Sequence, residues 1–95
     1  MKKIFLLLFV ITLQTSCSEP QTKGEYLKQY ADFINNVEHE YKDYSSDDWK
    51  KADAKFEKFA GDLKDKFKNE LSFTEKALLL SYEVKYNLYR YANDE

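Results

Sequence analysis

Between residues 21 and 95 the sequence holds no proline and only two glycines, Gly24 and Gly61. A stretch with so few breakers must fold into a small number of long regular elements. Their type follows from the spacing of apolar residues. Leu27, Tyr30, Ile34, Val37, Tyr41 and Tyr44 recur at alternating steps of three and four, a heptad seam on a helix. Strand readings fail throughout, because no run keeps a period of two for long and hairpin dipeptides are absent. The fold class is all-α.

Three helices are predicted. The first covers about residues 24–44, with Asp32, Asn35, Asn36, His39 and Asp43 off the seam. Ser45 and Ser46 close it and open the second, since either serine can cap and Asp47 and Asp48 suit the positive end of the helix dipole. The second helix, about residues 47–68, carries Trp49, Ala52, Phe56, Phe59, Leu63 and Phe67 on one seam. Gly61 interrupts it. Either the helix runs through at about 1 kcal/mol relative to alanine, or it breaks there with Asp62 capping a short new turn. Ser72 and Glu75 make a capping box that opens the third helix, about residues 73–92. Helices of ~20 residues joined by short loops give a small antiparallel three-helix bundle. A domain this small buries only about 60% of its unfolded surface, so aromatic residues on the seams must supply much of its core.

The N-terminus carries an address. Lys2 and Lys3 precede a ten-residue apolar run at residues 4–13, followed by Gln14, Thr15, Ser16 and Cys17, the only cysteine. A membrane-spanning helix needs roughly 20 residues. A charged start, a short apolar run and small residues behind it make a cleaved signal instead. Cys17 then reads as a lipidation site, the first residue of the mature chain. Acyl chains contribute ~0.8 kcal/mol per buried methylene, and stable anchoring takes more than one. A lone cysteine cannot pair within the chain, and a free thiol in an oxidising compartment is a liability. Gln14 stands where a leucine is usual, so the alternative is an ordinary secretory signal cut near Ser16 or Ser18. The domain reading is residues 1–16 signal, 17–23 lipidated cysteine and short tether, and 24–95 bundle.

Removing residues 1–16 leaves 13 basic and 17 acidic side chains. That balance argues against nucleic acid, whose binding rests on basic charge. Nothing in the sequence indicates an enzyme or a cofactor. His39 and Asp43 lie four apart, yet a zinc enzyme takes three protein ligands and position 43 is not histidine. The acidic residues are interleaved with lysines. Glu38 with Lys42, and Lys51 and Lys55 with Asp47, read as solvated i,i+4 ladders worth ~0.2–0.5 kcal/mol per pair. Trp49 reads as core.

The third helix carries two apolar stripes. Phe73, Ala77, Leu80, Val84, Leu88 and Tyr91 form one; Leu79, Tyr82, Tyr86 and Tyr89 form the other. Their centres lie about 150–180° apart, and a bundle helix buries one broad face. Either the tyrosines flank the core with wet hydroxyls, or one stripe docks a partner. The interface is then Tyr82, Tyr86 and Tyr89, which tyrosine enrichment at interfaces favours, or Leu80, Val84 and Leu88.

The run from Tyr44-Ser45-Ser46-Asp47-Asp48-Trp49 through Ala52-Asp53 to Phe56 and Phe59, with Tyr26-Leu27-Lys28 and Lys85-Tyr86-Asn87, resembles a family of small Bacteroidota lipoproteins. Its members carry a helical domain of unknown function. The resemblance spans roughly residues 25–90. It implies a helical fold, residence in the cell envelope on the outer membrane, and no catalytic residues or cofactor. It also implies that Leu79, Tyr82, Tyr86 and Tyr89 are the buried register. The expected role is a membrane-anchored, non-catalytic module that binds an envelope protein or itself. The alternatives are a carrier or sensor of a small apolar ligand, and a small inhibitor or immunity-type protein.

Overall fold

A computed structural model describes residues 19–94. The signal and Cys17 lie outside the described residues. Helix α1 is Lys23–Glu40, followed by a 3-10 turn at Tyr41–Asp43. Helix α2 is Ser46–Ala60 and α3 is Asp62–Phe67, with a 3-10 turn at Lys68–Glu70. Helix α4 is Phe73–Asp94. No strand occurs among the described residues. The second rod is broken at Gly61, so α2 and α3 together make one leg of a three-helix bundle.

Local chemistry sets each boundary. The Thr22 hydroxyl accepts from the Glu25 amide at 3.1 Å and starts α1. Ser45 and Asp48 cap α2 reciprocally, at 3.1 Å from the Asp48 amide to the Ser45 hydroxyl and 3.0 Å from the Ser45 amide to the carboxylate. Ser72 and Glu75 do the same for α4, at 3.1 and 2.8 Å. Each box satisfies two amides that a helix start otherwise leaves without partners. At Gly61 the second of the two alternatives holds, so the continuous helix over about 47–68 is corrected to two, but Asp62 is not the cap: Gly61 itself is the boundary residue and no side chain caps α3.

The legs run up, down and up. Lys23 at the start of α1 pairs with Glu75 at the start of α4 (3.1 Å), so these two helices are parallel. Tyr26 stacks on Phe67 at 5.3 Å while Tyr44 meets Trp49 edge-on at 4.9 Å, so α1 runs against α2 and α3. Of the 13 buried hydrophobic residues among those described, seven are aromatic, and the core is accordingly a column of ring contacts. Tyr30 stacks on Phe59 at 4.9 Å and leans on Tyr82 at 5.0 Å. Above them Tyr86 stacks on Phe56 at 4.1 Å and touches Phe33 and Trp49.

Two sequence expectations change. The buried face of α1 is Tyr26, Tyr30, Phe33, Ile34 and Val37. Leu27 moves to its edge, and the helix ends at Glu40, so Tyr41 and Tyr44 leave the heptad. Tyr41 reaches the core rim from the 3-10 turn and stacks on Tyr89 at 5.0 Å. The second change concerns the tether. In its described part it packs on the bundle: Pro20 is fully buried, its carbonyl accepts from Lys66 at 3.2 Å, and Glu19 pairs with Lys58 at 3.5 Å and Lys66 at 3.9 Å. An i,i+4 ion pair forms on α1 between Lys28 and Asp32.

Candidate functional site

Helix α4 is where the bundle meets its surroundings in two different ways. Its inner face is the tyrosine stripe. Leu79 is fully buried, Tyr86 is 2% exposed, and Tyr82 and Tyr89 are half-buried. The structure places Tyr86 in the core and packs Tyr82 and Tyr89 against its rim. Ring size explains the choice. Rings of α1 and α2 meet Tyr82 and Tyr86 at 5.0 and 4.1 Å, ring contacts that Leu80, Val84 and Leu88 could not make.

The outer face is the other stripe. Phe73 is 87% exposed, Leu80 58%, Val84 51%, Leu88 62% and Tyr91 67%. Single exposed apolar side chains are ordinary, but a contiguous row along one helix is the kind of patch that marks an interaction surface. Nothing polar interrupts the line from Leu80 to Leu88, because successive members sit one turn apart on one face.

A polar clasp fixes the orientation of α4 behind that row. The Tyr86 hydroxyl donates to Asp53 Oδ1 at 2.5 Å, and Arg90 Nε and Nη2 donate to the same carboxylate at 3.2 Å. The Arg90 guanidinium also lies over the Trp49 ring, 4.8 Å from its centre. Burial, and then the bond to Asp53, push the Tyr86 phenol well above its usual value. Burial, followed by the Glu83 charge, does the same for Tyr26 and Tyr30. These hydroxyls stay neutral at physiological pH; those of Tyr26 and Tyr86 serve as hydrogen-bond donors. Sequence reasoning missed this clasp. The one local hint was the four-residue step from Tyr86 to Arg90; Asp53 belongs to another helix, and only folding brings it there.

Every residue of the run Ser45-x-x-Asp48-Trp49-x-x-Ala52-Asp53-x-x-Phe56 has a structural task. Ser45 and Asp48 cap, Trp49 and Ala52 fill the core, Asp53 holds Tyr86 and Arg90, and Phe56 stacks on Tyr86. Residues 37–95 match the profile of a domain of unknown function, DUF6565. The chain belongs to the DUF6565 family. No curated protein matches it, and neither does any solved structure. The DUF6565 segment takes in the last turn of α1 and all of α2, α3 and α4. Most of α1 lies upstream, yet Tyr26, Tyr30 and Phe33 supply rings on which the DUF6565 helices close.

His39 is exposed on α1, with Nδ1 2.8 Å from the Asn35 carbonyl, and Asp43 is in the 3-10 turn beyond the end of that helix. Among the described residues no group of three metal-ligating side chains comes together. A depression of about 600 Å³ lies over Tyr44, Ala52 and Ala54 on the outer side of α2, open to solvent and edged by Asp48, Lys51, Lys55 and Lys58. It is open and edged by charge, unlike the enclosed sites that hold small ligands. No described helix is long and apolar enough to cross a membrane.

Proposed function

We propose that this chain is an envelope lipoprotein of the Bacteroidota type, held through acyl chains on Cys17, that acts without catalysis by docking a protein on the outer face of α4. The exposed line of Leu80, Val84 and Leu88 carries the reading. A fully packed inner face leaves this row with no use inside the bundle, and its exposure is unfavourable unless something covers it. The anchor rests on the sequence pattern around Cys17. Pro20 packs against the bundle and Glu19 pairs with it, so an anchor at Cys17 holds the domain close to the outer membrane rather than on a free leash.

Paired charge insertions test the docking face. Val84→Glu should leave the helical spectrum and the unfolding midpoint unchanged and abolish co-isolation of the partner from gently solubilised membranes. Tyr86→Glu should unfold the domain. Loss of folding in both variants would remove the spare face and the proposal with it. Cys17→Ser should move the chain from the membrane to the soluble fraction; a chain that stays with the membrane would refute the anchor.

A further inference from the structure

We infer that the outer face of α4 docks a second copy of this chain, as an antiparallel pair with a two-fold axis at Val84. The inference rests on the docking role proposed above and names the partner. The spacing of the row is self-complementary. Ala77, Leu80, Val84, Leu88 and Tyr91 step by three, four, four and three, which reads the same in both directions from Val84. An antiparallel pair centred there sets Leu80 against the partner's Leu88, and the small Ala77 against the large ring of the partner's Tyr91. A parallel pair would oppose Ala77 to Ala77 and Tyr91 to Tyr91, leaving a gap at one end and crowding the other. Isologous contacts of the first kind are the usual basis of two-fold dimers.

The area is sufficient for a weak dimer. The exposed fractions of the row, with full side-chain areas of about 100–200 Å², give on the order of 500 Å² per copy. A pair then buries ~1,000 Å², at the lower bound for a specific interface. Confinement of anchored copies to one membrane raises their effective concentration and offsets a modest affinity.

The anchor does not compete for this face. Lys64 and Lys66 are two residues apart on α3, hence about 200° apart around it. Lys64 reaches Glu83 on α4 at 3.4 Å, while Lys66 reaches the Pro20 carbonyl at 3.2 Å. The N-terminal segment therefore lies on the side of α3 turned away from α4. Cys17 is two residues before Glu19, within about 7 Å of it along the chain. Glu19 and Pro20, the first described residues, contact α2 and α3 and not the Leu80, Val84 and Leu88 row, which leaves that row to a protein.

The test is disulfide trapping in membranes of cells that express the full chain. Val84→Cys should shift from monomer to dimer mass under mild oxidation, with the bridge mapped by mass spectrometry to position 84. Ala77→Cys alone should stay monomeric, because the two copies of that position lie ~21 Å apart along an antiparallel pair, well beyond disulfide reach. Adding Tyr91→Cys to it should restore the dimer. Bridges at both Val84→Cys and Ala77→Cys alone would overturn the antiparallel axis. A photoreactive phenylalanine analogue at Leu88 separates the remaining cases. Cross-linking only to a protein of different mass would overturn the self-pairing and leave the docking role standing. Cross-linking to nothing, with no bridge at position 84, would overturn both.

Discussion

Tyr26 and Tyr30 stand one turn apart on α1, both fully buried, and differ in the fate of one oxygen. The Tyr26 hydroxyl donates to the Phe59 carbonyl at 2.7 Å, in the last turn of α2 before the break, where carbonyls lose their intrahelical partners. The Tyr30 hydroxyl is buried with no hydrogen-bond partner among the described residues. A buried polar group left unpaired costs about 1–3 kcal/mol, whereas a made bond contributes about 1. The same substitution should therefore act in opposite directions. Tyr30→Phe keeps the stacking on Phe59 and Tyr82 and should raise stability by about 1 kcal/mol. Tyr26→Phe should lower it by about 1–2 kcal/mol, since it also strands the carbonyl. Urea unfolding followed by helical circular dichroism measures both, and a loss of equal size at each position would contradict this account. Nothing at either residue in the sequence separates them; the difference is made by which helix lies opposite.

Elements whose limits are written locally were legible, and those whose orientation depends on partners were not. The Ser45–Asp48 and Ser72–Glu75 boxes involve residues three apart, so both helix starts could be read directly. The phase of α1 could not, because Tyr26 and Leu27 are adjacent and both apolar, and only the rings of Phe59 and Phe67 select Tyr26. Periodicity left the face of α4 open for the same reason, since two stripes share the helical period; only the family resemblance pointed to the tyrosine stripe. Asp48 and Glu75 show how the boxes respond to pH. Bonds from the Ser45 and Ser72 backbone amides hold both carboxyls below their ordinary values. A lowered value in the fold means stability that is present above the unfolded value and lost as pH falls through the folded one. Ser45→Ala or Ser72→Ala should cost about 1 kcal/mol each at neutral pH. The amide donors survive those changes, so it is Asp48→Asn or Glu75→Gln that should flatten the decline in stability below about pH 4, and an undiminished acid slope in those variants would count against the box. At Gly61 the opposing terms are close. Alanine gains about 1 kcal/mol of helix propensity, but its Cβ would lie 2.9 Å from the Glu57 carbonyl oxygen, a backbone atom that cannot swing aside. Overpacking of this kind costs ~1–3 kcal/mol, so Gly61→Ala should be net destabilising. A raised urea midpoint would show that the two half-helices prefer to fuse.

At the scale of the whole molecule, a core built from tyrosine ties stability to alkaline pH. The phenols of Tyr26, Tyr30 and Tyr86 are raised above 10 by burial, with Glu83 adding to the first two and Asp53 to the third. An acid whose value is raised in the fold is bound to its proton more tightly there than in the unfolded chain. Its contribution is complete below pH 10 and is lost as pH rises toward the folded value. Each such phenol removes up to about 1.4 kcal/mol per pH unit in that window, so three together remove about 4. A domain of this size has only about 5–10 kcal/mol in total. Unfolding should therefore be complete within roughly two pH units above 10, with tyrosinate absorbance and loss of helix rising in a single step. Replacing Asp53 with asparagine removes the negative charge facing Tyr86 and weakens its hold on Arg90. It should lower stability at neutral pH, and it should also make the alkaline slope shallower, because Tyr86 then ionises closer to its unfolded value. Tyrosinate appearing near pH 10 in full, with the helices intact, would mean that these rings are not the closed column on which the outer face of α4 is mounted.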